Sequence, residues 1–487
     1  MASIWNDWPQ SWHAAAWTLL LLAVHLAVIA RALTRPNRTP ASRAAWVALI
    51  LLMPFVGLAA YLLLGETDVG LPRVRRLRAA EARLHFPAEP AWVPAALEPG
   101  TAALFDLGRS INGLPPVAGN RIVLTPGPDA AIDALVADIA AAREHVHICF
   151  YIWLDDGNGG KVADAVAAAA RRGVHCRVMV DALGSRAFLR SPRARQLRDA
   201  GARLVAALDD VPRLGRLAVG RPDLRNHRKL VVIDNRIAYC GSQNCADPAF
   251  LVAARYAPWV DIFLRCEGPV VRQQQMLFLA TWIAETGEAL EALPGAAPLP
   301  ECQAPGAIAQ AFGTGPTTRG NAMSDMFVAC LYAARERLLI TTPYFVPDEA
   351  LLRALCAAPR RGVDTTIIFP RRNNSWLVGH ACYSTYADLL ASGVKVFEYP
   401  LGLLHTKSMT LDGRIALVGS ANMDRRSLEL NFENNLLIDD APTTAVLEAR
   451  QRVYLAASLP VDPEAVRAWP FVRRLVQNAV GIAGPVL

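Results

Sequence analysis

The 487-residue sequence predicts an α/β protein of two similar lobes, preceded by a pair of apolar N-terminal helices. Three observations lead there. The pattern His-x-Lys-(x)4-Asp occurs twice, as His227, Lys229, Asp234 and as His405, Lys407, Asp412. Other phrases recur around it in the same order, the mark of an internal duplication. Beyond about residue 120, strand-like apolar runs alternate with Ala-rich helical stretches such as Lys161 to Arg172, which is the α/β pattern.

The hydrophobic fraction, 53%, and the mean hydropathy, +0.23, are high for a soluble enzyme, and the excess sits at the N-terminus. Ala14 to Ala30 is apolar apart from Thr18 and His25, between Trp12, Trp17 and an Arg-rich loop. Ala44 to Leu64 is a longer apolar run containing Pro54 and Gly57. Both are long enough to cross a bilayer, and aromatic flanks fit its interfaces. A cleavable signal peptide is the alternative for the first run. No small-residue cleavage site precedes the arginines, however, and a second run follows. Residues 1–70 therefore read as a two-helix transmembrane hairpin.

Residues 71–120 read as a basic juxtamembrane segment and linker. Leu71 to Phe86 alternates Arg with Leu and Val, as a solvated basic helix or one lying on anionic headgroups would. The first lobe is assigned to 121–300 and the second to 301–487, joined near the Pro/Ala-rich stretch 289–306. Val211 to Leu224 interrupts the first lobe as a substrate-side flap or a long loop. His145 and His147 alternate on an apolar run and read as packing residues, not metal ligands.

The repeats run in register. Gly241, Ser242, Asn244 and Gly419, Ser420, Asn422 follow the two motifs at one offset. Ala-Ala-Arg-Glu stands at 141–144 and 333–336, and Arg-Arg-Gly-Val at 171–174 and 360–363. Two of only four lysines lie inside the motifs, in a chain that otherwise uses Arg. Lys is a compact, mobile point charge where Arg is a planar fork.

Asp234-Asn235 and Asp412-Gly413 favour two-residue hairpin turns. That register sets His227 opposite Ser242 and His405 opposite Ser420. His and Lys, two apart, share a face, with Ser and then Asn joining them. By parity the Asp falls off that face, at the turn, and reads as structural before chemical. The cluster is cationic and lacks the dense carboxylates of a two-metal site. It suits an anionic phosphodiester, with one neutral His attacking phosphorus and a protonated one serving the leaving oxygen.

These residues resemble the doubled signature of the phospholipase D superfamily over nearly the whole chain. Within it, the paired N-terminal helices, Thr341 to Pro347 and Gly402 to Ser408 resemble the bacterial cardiolipin synthases. The resemblance implies phospholipase D-like lobes of mixed sheet flanked by helices, about a pseudo-twofold axis. Its catalytic candidates are His227, Lys229, Asp234, His405, Lys407 and Asp412, with Ser242, Asn244, Ser420 and Asn422 in support. Glu433 stands where the family places a carboxylate that orients a histidine, and Asp261 is the candidate in the first lobe. A phosphohistidine intermediate is implied, precedent leaning to His227 as nucleophile.

The implied reaction transfers the phosphatidyl group of one phosphatidylglycerol to another, giving cardiolipin and glycerol, with no metal or organic cofactor. Hydrolytic phospholipase D, a membrane-anchored phosphodiesterase or nuclease, and a silent scaffold are the alternatives. The expected partners are this anionic phospholipid and the membrane bilayer; nucleic acid is not expected, and the oligomeric state stays open. A bacterial inner-membrane, multi-pass location follows. Orientation does not: Arg31, Arg35, Arg38 and Arg43 lie between the apolar runs, and Arg73, Arg75, Arg76 and Arg78 after them. The positive-inside rule then asks for both flanks of one span to face the cytoplasm. Nine cysteines without a Cys-x-x-Cys pair fit a reducing compartment and so a cytoplasmic catalytic region.

Overall fold

The computed structural model describes residues 8–36, 38–65, 71–84, 97–209, 223–288 and 306–482. The N-terminal helices form one compact unit, and the chain from Leu71 onward carries a second, larger one.

In the N-terminal unit, helix α1 (Trp8–Thr34) is long and apolar enough to cross a membrane. The second apolar run departs from expectation. It is broken at Met53 into α2 (Pro40–Leu52) and α3 (Pro54–Ala60), which continues as a π-helical turn, Tyr61–Gly65. Met53 leaves helical geometry at φ −133°, ψ 71°, as the residue before a proline tends to, and Pro54 starts the new helix. The chain then doubles back. Trp46 and Tyr61 meet edge to face with ring centroids 5.3 Å apart. Arg38 Nη2 donates to Gly65 O at 3.1 Å. Gly57 permits the close approach, because a Cβ there would sit 2.4 Å from Leu49 O. The turn lies beside His25 of α1, whose Nε2 is 3.1 Å from Pro54 O. The expected second span is thus a V of two short helices. Helix α2 is about 20 Å long at 1.5 Å per residue, against ~30 Å of hydrocarbon.

The larger unit is built on one mixed sheet of fifteen strands. The first lobe contributes β1 (Val117–Leu124), β2 (His145–Phe150), β3 (His175–Asp181), β4 (Arg203–Ala207), β5 (Lys229–Ile233), β6 (Ile237–Gly241) and β7 (Phe263–Glu267). The second contributes β8 (Ala307–Thr314), β9 (Arg337–Thr341), β10 (Asp364–Pro370), β11 (Lys395–Tyr399), β12 (Ser408–Leu411), β13 (Ile415–Gly419) and β14 (Glu433–Asp439), with β15 (Leu459–Pro460) at its edge. From that edge the order is β15-β11-β10-β9-β12-β13-β14-β8-β1-β7-β6-β5-β2-β3-β4. Read outward from the antiparallel β1–β8 pair, the two halves repeat strand for strand. The duplicated sequence therefore folds twice about a pseudo-twofold axis through the sheet centre. β2, β3 and β4, like β9, β10 and β11, run parallel; β2, β3, β9 and β10 are largely buried, as strands covered on both faces must be, while β4 and β11 toward the edges are only partly so.

The repeated phrases have local causes. The Asp234 carboxylate accepts the backbone N–H groups of Arg143, Glu144 and His145, each at 2.8 Å. Asp412 does the same for Arg335, Glu336 and Arg337, again at 2.8 Å. Arg172 donates to Ala140 O at 2.9 Å and Arg361 to Leu331 O at 2.6 Å, each closing the end of a preceding helix. His147 is buried against Gln275 and stacks on Phe278.

Helix α4 (Leu71–Arg83) packs on the long buried helix α5 (Val270–Thr286). Leu77 and Ala80 are buried there, and Arg73 pairs with Glu285 at 3.3 Å. Arg75, Arg76 and Arg78 stay exposed, so the helix is neither solvated all round nor free to lie on a membrane by its apolar face. The proposed flap and the inter-lobe stretch fall, but for their last residues, outside the described residues.

Candidate active site

Each motif sits at the start of a hairpin whose turn residues take positive φ, Asp234 and Asn235 in one lobe, Asp412 and Gly413 in the other. The loops hold three residues, not two. Ile233 pairs with Ile237 and Leu411 with Ile415, so Arg236 and Arg414 are taken into the loops. The register slips by one, and neither His faces its Ser as expected. The serines reach carboxylates instead. Ser242 Oγ donates to Asp261 Oδ1 at 2.6 Å, and Ser420 Oγ to Glu433 Oε2.

These carboxylates cross between the lobes. Asp261 and Glu433 hold matching positions, since Gly241 pairs with Phe263 and Gly419 with Asn435. Asn226 bridges Phe432 of the second lobe, and His227 N donates to Phe432 O at 2.9 Å. Leu403 and Leu404 pair with Trp259 and Val260 of the first lobe, and His405 N donates to Val260 O at 2.8 Å. In consequence His227 Nδ1 lies 2.9 Å from Glu433 Oε2, and His405 Nδ1 lies 2.7 Å from Asp261 Oδ1. A carboxylate on Nδ1 fixes the tautomer that bears its proton there and leaves the Nε2 lone pair for chemistry.

Both imidazoles open on one cleft of about 320 Å³, at the lower end of the range of small-molecule sites. Asn244 and Asn422 line it, with Asn244 Oδ1 accepting from Ile152 N. Lys229 and Lys407 are buried beneath, each Nζ donating to the backbone carbonyl of its own motif His at 2.6 Å. Lys407 Nζ also lies 3.2 Å from His405 Nε2. Asp234 and Asp412 do not line the cleft; their oxygens are occupied by the amides described above.

Burial depresses both histidines, His405 to about 4 and His227 well below its ordinary value, with the lysines adding to it. Each is thereby held neutral near pH 7. Burial likewise pulls Lys229 down to about 7 and Lys407 to about 8. The carboxylates diverge. Burial pushes Glu433 up to about 7. Asp261 is buried too, but the nearby His405 and Lys407 outweigh that and hold it below its ordinary value.

The sequence reading passed over Tyr151, Tyr344, Trp259, Arg225 and Arg426, all of which line the cleft. Tyr151 packs on His227, ring centroids 4.8 Å apart, and Trp259 on His405 at 4.7 Å. The signal was present for the tyrosines, which end the apolar runs following both Ala-Ala-Arg-Glu phrases.

A family profile described as "Cardiolipin synthase, PLD-like domain" matches residues 135–257 and 327–452, one stretch in each lobe. The chain belongs to this cardiolipin synthase family. A second profile, "Phospholipase_D-nuclease N-terminal", matches residues 23–66. Among similar proteins, cardiolipin synthase A of Cronobacter sakazakii is 40% identical over 484 residues, 96% of each chain. Cardiolipin synthase A of Salmonella arizonae is 41% identical over 466 residues, 93% of this chain and 94% of that one. The crystal structure of phosphatidylserine synthase from Haemophilus influenzae Rd KW20 aligns with a TM-score of 0.55 at 14% identity. It covers 79% of this chain and 100% of that one, a likeness of fold. In this chain one motif histidine from each matched stretch, His227 and His405, lines the common cleft.

Proposed function

We infer that this chain is a phosphatidyltransferase that converts two phosphatidylglycerol molecules into cardiolipin and glycerol. One observation carries the reading: two imidazoles from separate lobes, each held through Nδ1 by the other lobe's carboxylate, open on one cationic cleft. The first phosphatidylglycerol lays its phosphodiester between them, where Lys229, Lys407 and the Asn side chains stabilise the charge that builds on the phosphoryl oxygens. One Nε2 attacks phosphorus as the P–O bond to glycerol breaks, and the second imidazole gives a proton to the departing oxygen. The glycerol hydroxyl of a second phosphatidylglycerol then loses its proton to that imidazole and attacks the phosphohistidine. Cardiolipin leaves, and the first imidazole is free again.

The electrostatics divide the roles. His405 faces Asp261, which stays ionised and stabilises an imidazolium. His227 faces Glu433, which burial leaves only partly ionised near pH 7, a weaker stabiliser of an imidazolium, and whose carboxylate form keeps the Nε2 lone pair free to attack. His227 is therefore the nucleophile and His405 the proton carrier. A bound phosphodiester supplies the negative charge that lets His405 take up its proton. The test is turnover of labelled phosphatidylglycerol by purified protein: cardiolipin with equimolar glycerol supports transfer, whereas phosphatidic acid in their place establishes a hydrolase.

For location, the reading is a bacterial cell membrane crossed once, by α1, with the catalytic unit in the cytoplasm. The V of α2 and α3 supports this, since its two ends, at Arg38 and Gly65, meet. Both arginine groups then lie on one side of the membrane. Five residues separate Gly65 from Leu71, too few at about 3.5 Å each to cross ~30 Å of hydrocarbon. With a single crossing, the positive-inside rule is satisfied by both groups at once.

A further inference from the structure

The cleft has an unusual rim. Leu251 and Val252 lie between two residues that line it, Phe250 and Ala253, and are 73% and 68% exposed. Across the cleft, helix α6 (Trp376–Tyr383) follows Ser375 and carries Val378, both lining residues; its Trp376 and Leu377 are 59% and 44% exposed. Both lobes thus hold bulky apolar side chains out into solvent at the mouth of a polar site.

The C-terminal helix α7 (Phe471–Ile482) extends this surface, because it packs on α6. Its polarity is inverted. The one side chain buried against the protein is Gln477, while Phe471 and Leu475 are 70% and 54% exposed. A helix covering a protein core turns its apolar stripe inward. This one turns it outward, as helices lying in a membrane interface do. Exposed arginines accompany the apolar groups at each place: Arg255 beside the first-lobe pair, Arg372 before α6, and Arg474 on α7.

We propose that this rim, with α7, is a membrane-docking surface that seats the catalytic cleft on an anionic phospholipid bilayer. The proposal rests on the phospholipid reading of the cleft. The choice of a bilayer over a protein partner follows from the surface's continuity with that cleft and from the exposed arginines Arg255, Arg372 and Arg474 beside its apolar groups. A phosphodiester headgroup must enter between the two lobes, and apolar rim residues sunk among acyl chains bring headgroups to that height. The arginines then meet lipid phosphates at the interface.

The test uses the full chain reconstituted in phosphatidylglycerol-containing vesicles. A nitrobenzoxadiazole dye on Leu251→Cys and on Phe471→Cys should be quenched by doxyl-labelled acyl chains. A dye that is water-like at both positions overturns the proposal. A dye that is shielded but not quenched also overturns it, in favour of a second protein copy on this face. In parallel, Leu251→Glu/Val252→Glu and Phe471→Glu/Leu475→Glu should lose tenfold or more of the rate on bilayer phosphatidylglycerol while keeping it on a monomeric short-chain analogue. Equal rates on both substrates, or equal losses, sink the docking surface while leaving the cleft's chemistry standing. Absence of cardiolipin from the unmodified protein would instead overturn the reading of the cleft.

Discussion

Asp261 of the first lobe holds His405 of the second, Oδ1 to Nδ1, at 2.7 Å across 144 residues of sequence. Glu433 answers for His227 in the opposite direction. Neither lobe therefore contains a complete set of these contacts, and the lobes are coupled through carboxylates that each orient the other lobe's motif imidazole. Asp261→Asn should lower kcat by about 10²–10⁴-fold, because the amide no longer fixes the ring tautomer or stabilises an imidazolium. Imidazole NMR should show His405 perturbed by Asp261→Asn and His227 by Glu433→Gln. Perturbation of the same-lobe histidine instead would contradict the crossing.

The division of labour between the histidines predicts a selective rescue. Phosphatidyl-p-nitrophenol releases a phenolate that needs no proton. With this donor His405→Ala should still give a burst of nitrophenol near one per active site, since the His227 nucleophile remains. His227→Ala should give none. A burst from His227→Ala and silence from His405→Ala would reverse the assignment.

The motif aspartates are predicted to act on stability. Asp234 accepts three backbone amides at the start of β2 and stands clear of the cleft. Asp234→Ala leaves those donors to solvent and should cost roughly 2 kcal/mol, in the range of a lost cap with charged hydrogen bonds. Thermal denaturation should show the loss, and the protein still folded should turn over at near the parental rate. An undiminished melting temperature with abolished turnover would return Asp234 to the chemistry.

The contrast between these residues shows what the sequence made legible. His, Lys, Ser and Asn were readable because duplication prints one spacing twice. Glu433 and Asp261 came from the family resemblance, the first lobe lacking the wording around Glu433, and the reading of Asp234 as a turn residue needed only strand parity. The pairing of each carboxylate with the opposite lobe's histidine was not readable, since no local period marks a contact over 144 or 206 residues. The Ser register failed on one residue. Arg236 and Arg414 entered loops whose Asx-Asn and Asx-Gly composition promised two. The second apolar run failed for a related reason: hydropathy counts Pro54 and Gly57 as tolerable, while the backbone uses them to turn and to pack.

Acid–base behaviour follows from burial. Glu433, pushed up to about 7, accepts the His227 Nδ1 proton as a carboxylate, so activity should rise with pH through that value. Lys229 and Lys407, pulled down to about 7 and about 8, lose their charge above those values, so binding of the phosphodiester should fall. The profile of kcat/KM, which reports the free enzyme, should be a narrow bell. A bound anion raises both lysines, so the alkaline limb of kcat should lie at higher pH. Coincident alkaline limbs in kcat and kcat/KM would remove the lysines from substrate binding.

The folded-back second segment carries the last prediction. Two crossings would put the loop near residue 41 and the chain near residue 75 on opposite sides of the membrane; one crossing puts them on the same side. Ala41 and Arg75 are both exposed, so Ala41→Cys and Arg75→Cys can be labelled with a membrane-impermeant maleimide. In intact cells neither should react, and in inverted vesicles both should, because the positive-inside rule sends both arginine groups to the cytoplasm. The packing of Trp46 on Tyr61 gives an internal control. Trp46 is half-buried, so Trp46→Ala, which removes the contact that closes the V, should cost about 1 kcal/mol. Labelling of Ala41→Cys alone from outside intact cells would restore the second span.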